Sequence, residues 1–407
     1  MRGILARMRG MLKRIRHDEA ARPLACVIGD IDLVRPLGLV GIRSVVVAAP
    51  TDPVRRSRMN AAFLPWTAGE ADTRVLVERL LDVAAAQPLP LILFYEGDWD
   101  LLMVSRHRER LAERCRFVIP ETQLVEDLVD KARFQKLARR LELPVPPSLR
   151  LSPARMSVTD VELGFPLIVK PLTRRGATWK PIAGDAKAVR VENAAELRAL
   201  WPRLLDSGVD VLAQQLIPGA ETRIESYHAY IDERGETAGE FTGRKIRTLP
   251  PAYGFSTAVQ ITDEPDVREL GRRTLARVGL RGVAKVDFKR DDAGRLHLLE
   301  INPRFSLWHH AGARAGVNLP ALVYADLAGL PRPHVAAARA GVRWCLHKHD
   351  ARAARESGVS LVRWLPWALA CEAKSAVAWD DPLPVLWGFV PWRFRGAGRP
   401  APSDPRS

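Results

Sequence analysis

Val283–Phe305 reads VAKVDFKRDDAGRLHLLEINPRF. The stretch predicts a β-hairpin. Val283, Lys285, Asp287 and Lys289 alternate with Ala284, Val286 and Phe288, so the strand separates two faces. Asp291-Asp292-Ala293-Gly294 supplies turn residues, read as solvated, and Leu296–Asn302 is the return strand. Folding about that turn sets Asp287 opposite Glu300 and Lys285 opposite Asn302. Facing carboxylates repel, and both sit among apolar neighbours, where an unpaired charge is costly. A hard divalent cation between them removes the conflict. Mg²⁺ takes oxygen ligands, few from protein and the remainder from water and substrate phosphates. Asp287, Glu300 and the amide oxygen of Asn302 are therefore the candidate metal ligands. Pro303 ends the strand, and Arg304 places a cation just beyond it.

Working outward, the chain has 407 residues, 47% hydrophobic and 27% charged, enough for two or three globular domains. Four scattered cysteines show no metal or redox spacing, which predicts a reducing, cytoplasmic setting. No apolar run reaches the ~18 residues of a spanning helix, and no signal peptide is expected. The formal charge of +15 is spread along the chain without a nucleic-acid motif, so anionic small substrates explain it better than DNA or RNA. Eleven of the 62 cationic side chains are Lys and 51 are Arg. A Lys kept at a strand end in such a chain suggests a need for a compact ammonium. Lys131, Lys170, Lys245 and Lys285 are read that way.

The hairpin with LLEINPR resembles the metal-binding end of ATP-grasp enzymes, in particular carboxylate–amine ligases and carbamoyl-phosphate-synthase-like proteins. There an acid on one strand, then Glu and Asn two residues apart on the next, hold Mg²⁺ against ATP. The resemblance covers about residues 23–330. It implies an α/β (α+β) protein: a parallel-sheet domain at 23–125, then a two-lobed ATP-grasp domain at 126–335. Outside these, 1–22 is expected to be a basic amphipathic helix, 336–395 a Trp-rich extension and 396–407 a disordered tail.

Within 23–125, strands are expected at Leu24–Ile28, Ser44–Ala49 and Leu89–Phe94, with helices at Val34–Val40 and Val75–Ala86. Ligands of parallel sheets gather at the carboxyl ends of the strands, where Asp30 and Asp98 stand as candidate contacts or as helix caps. Asp130-Lys131 opens a helix that Pro144-Val145-Pro146-Pro147 ends. By resemblance Lys131 and Lys170 hold inner phosphates of ATP, and Lys245 the outer one. Leu172–Ile182 stands where the family has a mobile glycine-rich loop, here with one Gly, Gly176, and the cations Arg174 and Arg175. Gln214, Gln215, Leu216 and Ile217 match the hinge against which adenine stacks, the carbonyl of Gln214 accepting from the adenine amino group. Glu221 would take the ribose hydroxyls. Lys285 and Arg304 would stabilise charge on an acyl phosphate and on the tetrahedral adduct.

The expected activity is ATP-dependent amide formation: a carboxylate becomes an acyl phosphate and an amine captures it, releasing ADP and phosphate. Alternatives of the same fold are a carboxylase or phosphotransferase. A non-catalytic, membrane-associated nucleotide binder is the third reading. The expected cofactors are ATP and Mg²⁺, one ion or two, or Mn²⁺. A homodimer is compatible with the sequence. Peripheral contact with the inner membrane face is suggested by the basic amphipathic pattern of residues 1–17.

Overall fold

The computed structural model describes residues 22–67, 73–172, 176–184, 186–375 and 377–389. The expected N-terminal helix, Arg174, Arg175 and the tail at 396–407 lie outside them. Among the described residues, no helix is long and apolar enough to cross a membrane.

The N-terminal unit is a parallel sheet of β1 (Ala25–Ile28), β2 (Ser44–Ala48), β3 (Asn60–Pro65), β4 (Leu91–Tyr95) and β5 (Cys115–Arg116), in the order β3-β2-β1-β4-β5. The runs ACVI and LILFY are buried throughout, as strands covered on both faces require. Helices Ile31–Gly38 and Thr73–Ala85 lie near their expected places. Two strands, β3 and β5, carry no clear alternation and were not expected. Asp30 caps its helix, its carboxylate accepting from the Asp32 N–H at 2.8 Å.

A second, antiparallel sheet holds β6 (Ser148–Leu151), β7 (Leu167–Pro171), β8 (Val189–Val191) and β9 (Val211–Gln215), in the order β6-β9-β7-β8. Gly176–Ala183 is helical, not a loop. Trp179 and Ile182, three residues apart, bury themselves in the same core as Leu167 and Val169, and that packing favours a helix over a mobile strap.

The third sheet runs β14-β13-β10-β11-β12-β15-β16, with β10 (Ile224–Ile231), β11 (Thr237–Leu249), β12 (Phe255–Thr262), β13 (Gly282–Arg290), β14 (Leu296–Asn302), β15 (Arg343–Cys345) and β16 (Ala373–Lys374). Helix Pro265–Val278 ends on Gly279 at φ 67°, the left-handed cap that glycine adopts without strain. The hairpin β13–β14 pairs Asp287 with Glu300 and Lys285 with Asn302, as its sequence predicts. Past Asp287 the register slips by one, Phe288 facing Leu298 and leaving Leu299 unpaired.

Asp291 is not a solvated turn residue. It is buried, and it accepts from the N–H groups of Ala293 and Arg295 and from the side chains of Arg295 and His297. Those contacts, His297 first, hold its carboxyl well below the usual range.

Buried acids join the parts of the chain. Asp32, 1% exposed, takes hydrogen bonds from His310, Trp344 and Ser375 at 2.8, 2.8 and 2.6 Å. Asp381 returns the C-terminal segment to Ser57 and to the N–H of Arg58. Of the C-terminal tryptophans, Trp344 is buried and Trp379 is exposed.

Candidate active site

A cleft of about 420 Å³ opens between the second and third sheets. One wall is Ile168 and Lys170 of β7 and the hinge Gln214–Ile217. The other carries Ile224, Lys245, Asp287, Lys289, Leu299 and Glu300. Trp179, Lys180, Lys187 and Tyr253 complete the lining, and the Lys187 N–H donates to the Tyr253 carbonyl at 3.1 Å. Six lysines line the cleft, namely Lys131, Lys170, Lys180, Lys187, Lys245 and Lys289, and among the described residues no arginine does. More than half of the eleven lysines thus meet at one opening in a chain with 51 arginines.

Each cation is placed by its element. Asp130 caps the helix that starts at Lys131, accepting from the N–H groups of Ala132 and Arg133 at 2.9 Å each. The Lys131 N–H and Nζ both donate to the Leu172 carbonyl, at 3.1 and 3.4 Å, which ties that helix to the end of β7. Lys170 Nζ donates to Gln214 Oε1 at 2.9 Å. The Gln214 carbonyl is therefore occupied by a cation, and the amide nitrogen is buried without a partner. This differs from the expected role of that carbonyl toward an adenine amino group. Lys245 Nζ stands 3.9 Å from Glu221 Oε2. Burial, helped by the charge of Lys131, pulls the Lys170 ammonium down to about 8, with Glu300 opposing.

At the floor, Asp287 is 3% exposed. It accepts from Ser226 Oγ and pairs with Lys285 Nζ at 2.6 Å. Glu300 accepts from Asn302 Nδ2 at 3.1 Å. Lys285 also lies 5.7 Å from the Trp308 ring centroid.

Three of the expected residues do not line the cleft: Lys285, Arg304 and Asn302. Asn302 lines a small cavity of about 30 Å³ together with Lys131, Lys170, Glu300 and Asp98. Arg304 is buried and its Nε donates to Asp98 Oδ1 at 2.5 Å, so this cation bridges to the N-terminal sheet. Gly176 opens the helix described above.

Sequence reasoning passed over Lys180, Lys187, Lys289 and the acids beside Asp98. Burial raises Glu96 to about 7 and Asp100 to about 6. Asp30 is raised well above its ordinary value by burial, then by Glu96.

Residues 240–348 match the family described as ATP-grasp in the biosynthetic pathway with Ter operon. The neighbours in fold include the biotin carboxylase domain of the Hydrogenobacter thermophilus 2-oxoglutarate carboxylase with MgADP and bicarbonate. Its TM-score is 0.58 at 17% identity, covering 79% of this chain and 73% of that one. Over residues 240–348 the chain is similar to ATP-grasp proteins.

Among ATP-grasp relatives, the D-aspartate ligase of Enterococcus faecium is 25% identical over 292 residues, 67% of this chain and 68% of that one. A D-alanine–D-alanine ligase of Ectopseudomonas mendocina is 29% identical over 219 residues, 49% of this chain and 64% of that one.

The ATP-grasp hairpin suits Mg²⁺ on chemical grounds. Among the described residues no set of three or more His, Cys, Asp and Glu side chains gathers as a metal site. The donors available are two carboxylates and an amide oxygen, all hard, and too few to enclose an ion without water or phosphate.

Lys170 supplies a pH test. An anion against its ammonium raises the pKa above the free-protein value of about 8. Nucleotide affinity should therefore be complete below pH 8 and fall as pH rises through it, by up to tenfold per unit. Lys170→Arg should flatten the decline. Titration calorimetry of ADP at pH 7 and pH 9 checks this, and equal affinities at the two pH values would contradict it.

Proposed function

We propose that the protein is an ADP-forming ligase that activates a carboxylate as its acyl phosphate and joins it to an amine. One observation supports this most. Asp287 and Glu300 face each other at the floor of a cleft lined by six lysines. A polyanion and its divalent cation satisfy both sets of charge at once.

In this reading, Lys131 and Lys170 hold the inner phosphates and Lys245 the outer one. Glu221 takes the ribose hydroxyls, and the hinge Gln214–Ile217 borders the base. Asp287, Glu300 and Asn302 hold Mg²⁺, one ion or two. When bound, the metal neutralises charge on the β- and γ-phosphates. The protein's own part is alignment and fixed charge. The carboxylate oxygen attacks the γ-phosphorus and ADP leaves. The amine then attacks the acyl carbon, passes its proton to solvent or to a neighbouring base, and expels phosphate. Lys285, held by Asp287 and opposite Asn302 on the hairpin, and Arg304, two residues past Asn302 and held by Asp98, would stabilise charge developing on the acyl phosphate. The ligases among the relatives support this chemistry. The acid and the amine are to be found by experiment.

A screen of acid–amine pairs for ADP release tests the proposal, with Glu300→Gln as the blank. Labelled bicarbonate entering the product, or a stable phosphorylated product, would instead favour a carboxylase or a phosphotransferase.

A further inference from the structure

Lys289 lies on β13, two residues beyond Asp287 and on the same face. Its neighbours across the strands are Ile224 on β10 and His297 on β14. The side chain lines the cleft and the residue is only 6% exposed. Among the described residues its ammonium has no hydrogen-bond or ion-pair partner. A desolvated, unpaired ammonium is costly to a fold. Such a group persists where something absent from the free protein completes it.

The charges around it say what that is. Glu221 attracts the ammonium, while Lys245, Arg190 and Arg223 repel it. Arg190 and Arg223 are already paired, with Glu192 and Asp292, so within the cleft Lys289 and Lys245 share the one acid Glu221, and two ammonium groups beside a single carboxylate leave room for an anion. Glu221 lies 3.9 Å from Lys245 and also lines the cleft. If Glu221 takes the ribose, as in the reading above on which this inference rests, the adjoining anion is the phosphate bonded to that ribose. We infer that Lys289 is a nucleotide-binding residue whose ammonium pairs with the α-phosphate. The phosphates then lie between Lys289 and Lys245, both beside Glu221, on one wall and Lys131 and Lys170 on the other.

The test is titration calorimetry of wild type and Lys289→Met with ADP, AMP and adenosine, beside melting of both unliganded proteins. Methionine keeps the length and removes the charge. ADP and AMP should each bind at least tenfold more weakly to the variant, and adenosine should bind within twofold. The unliganded variant should melt at the same temperature as wild type or higher. Unchanged ADP affinity would overturn the inference. So would an equal loss for adenosine, which would place Lys289 on the sugar, or a variant that melts lower, which would make the lysine structural. A wild-type protein that binds neither ADP nor ATP would instead remove the nucleotide reading of the whole cleft.

Discussion

Glu300→Gln should lower ADP release by about 100- to 1,000-fold, the usual loss when one fixed charge-stabilising group is removed, while leaving the unliganded fold at least as stable. The two effects have one cause. Glu300 faces Asp287 across β13 and β14. Without a metal ion, that pairing opposes folding by about 0.2–1 kcal/mol, offset in part by the Lys285 ammonium on Asp287. With Mg·ATP bound, the same pair would hold the metal in the proposed reading. A neutral amide keeps the shape and loses the charge. ADP release under saturating Mg²⁺ and urea unfolding of the unliganded protein read the two sides. A variant that turns over within tenfold of wild type would remove the acid pair from the chemistry. Asp287→Asn should lose a similar factor, and the double variant little more, because residues acting as a unit do not add.

Asp350→Ala should cost roughly 3–5 kcal/mol of folding free energy, as removal of one partner from a buried ion pair does. Asp350 is fully buried on the helix His347–Glu356. Arg247 donates to both of its oxygens, at 2.9 and 2.6 Å. Thr257 and Trp364 add bonds of 2.7 and 2.8 Å. Arg247 lies on β11 two residues from Lys245, so the helix also steadies a strand that lines the cleft. Most of the loss is the stranded charge of Arg247. Arg247→Met combined with Asp350→Ala should therefore recover more than half of it, measured by urea unfolding. A single variant within about 1 kcal/mol of wild type would show that the pair is not coupled to folding.

Much of the site was legible because a hairpin's arithmetic is local. The turn at 291–294 and the alternation of β13 were enough to pair Asp287 with Glu300. The parallel sheet was legible where its strands are continuous apolar runs, in β1, β2 and β4. It was not legible in β3, NAAFLP, whose small residues lack a strong pattern, or in β5, which has two residues. At 176–183 two signals conflict: one Gly in a family position points to a loop, while Trp179 and Ile182 are spaced to pack a helix, and the packing prevails. Lys289, the second-last residue of β13, carries no local signal that separates it from an exposed strand-end cation, because the cleft it lines is completed by β7 and the hinge, far away in sequence. Asp98 was read as a contact or a cap, but its partner, Arg304, is 206 residues away. No local pattern announces a bond of that separation.

The unpaired Leu299 has a geometric consequence. Successive side chains on an ordinary strand point to opposite faces, yet Leu299 and Glu300 both reach the same opening. The slip beside Asp287 turns them together. An oily contact and an ion-seeking oxygen thereby stand side by side on one short rung of backbone. A bound molecule with a flat apolar end and a charged tail would find both.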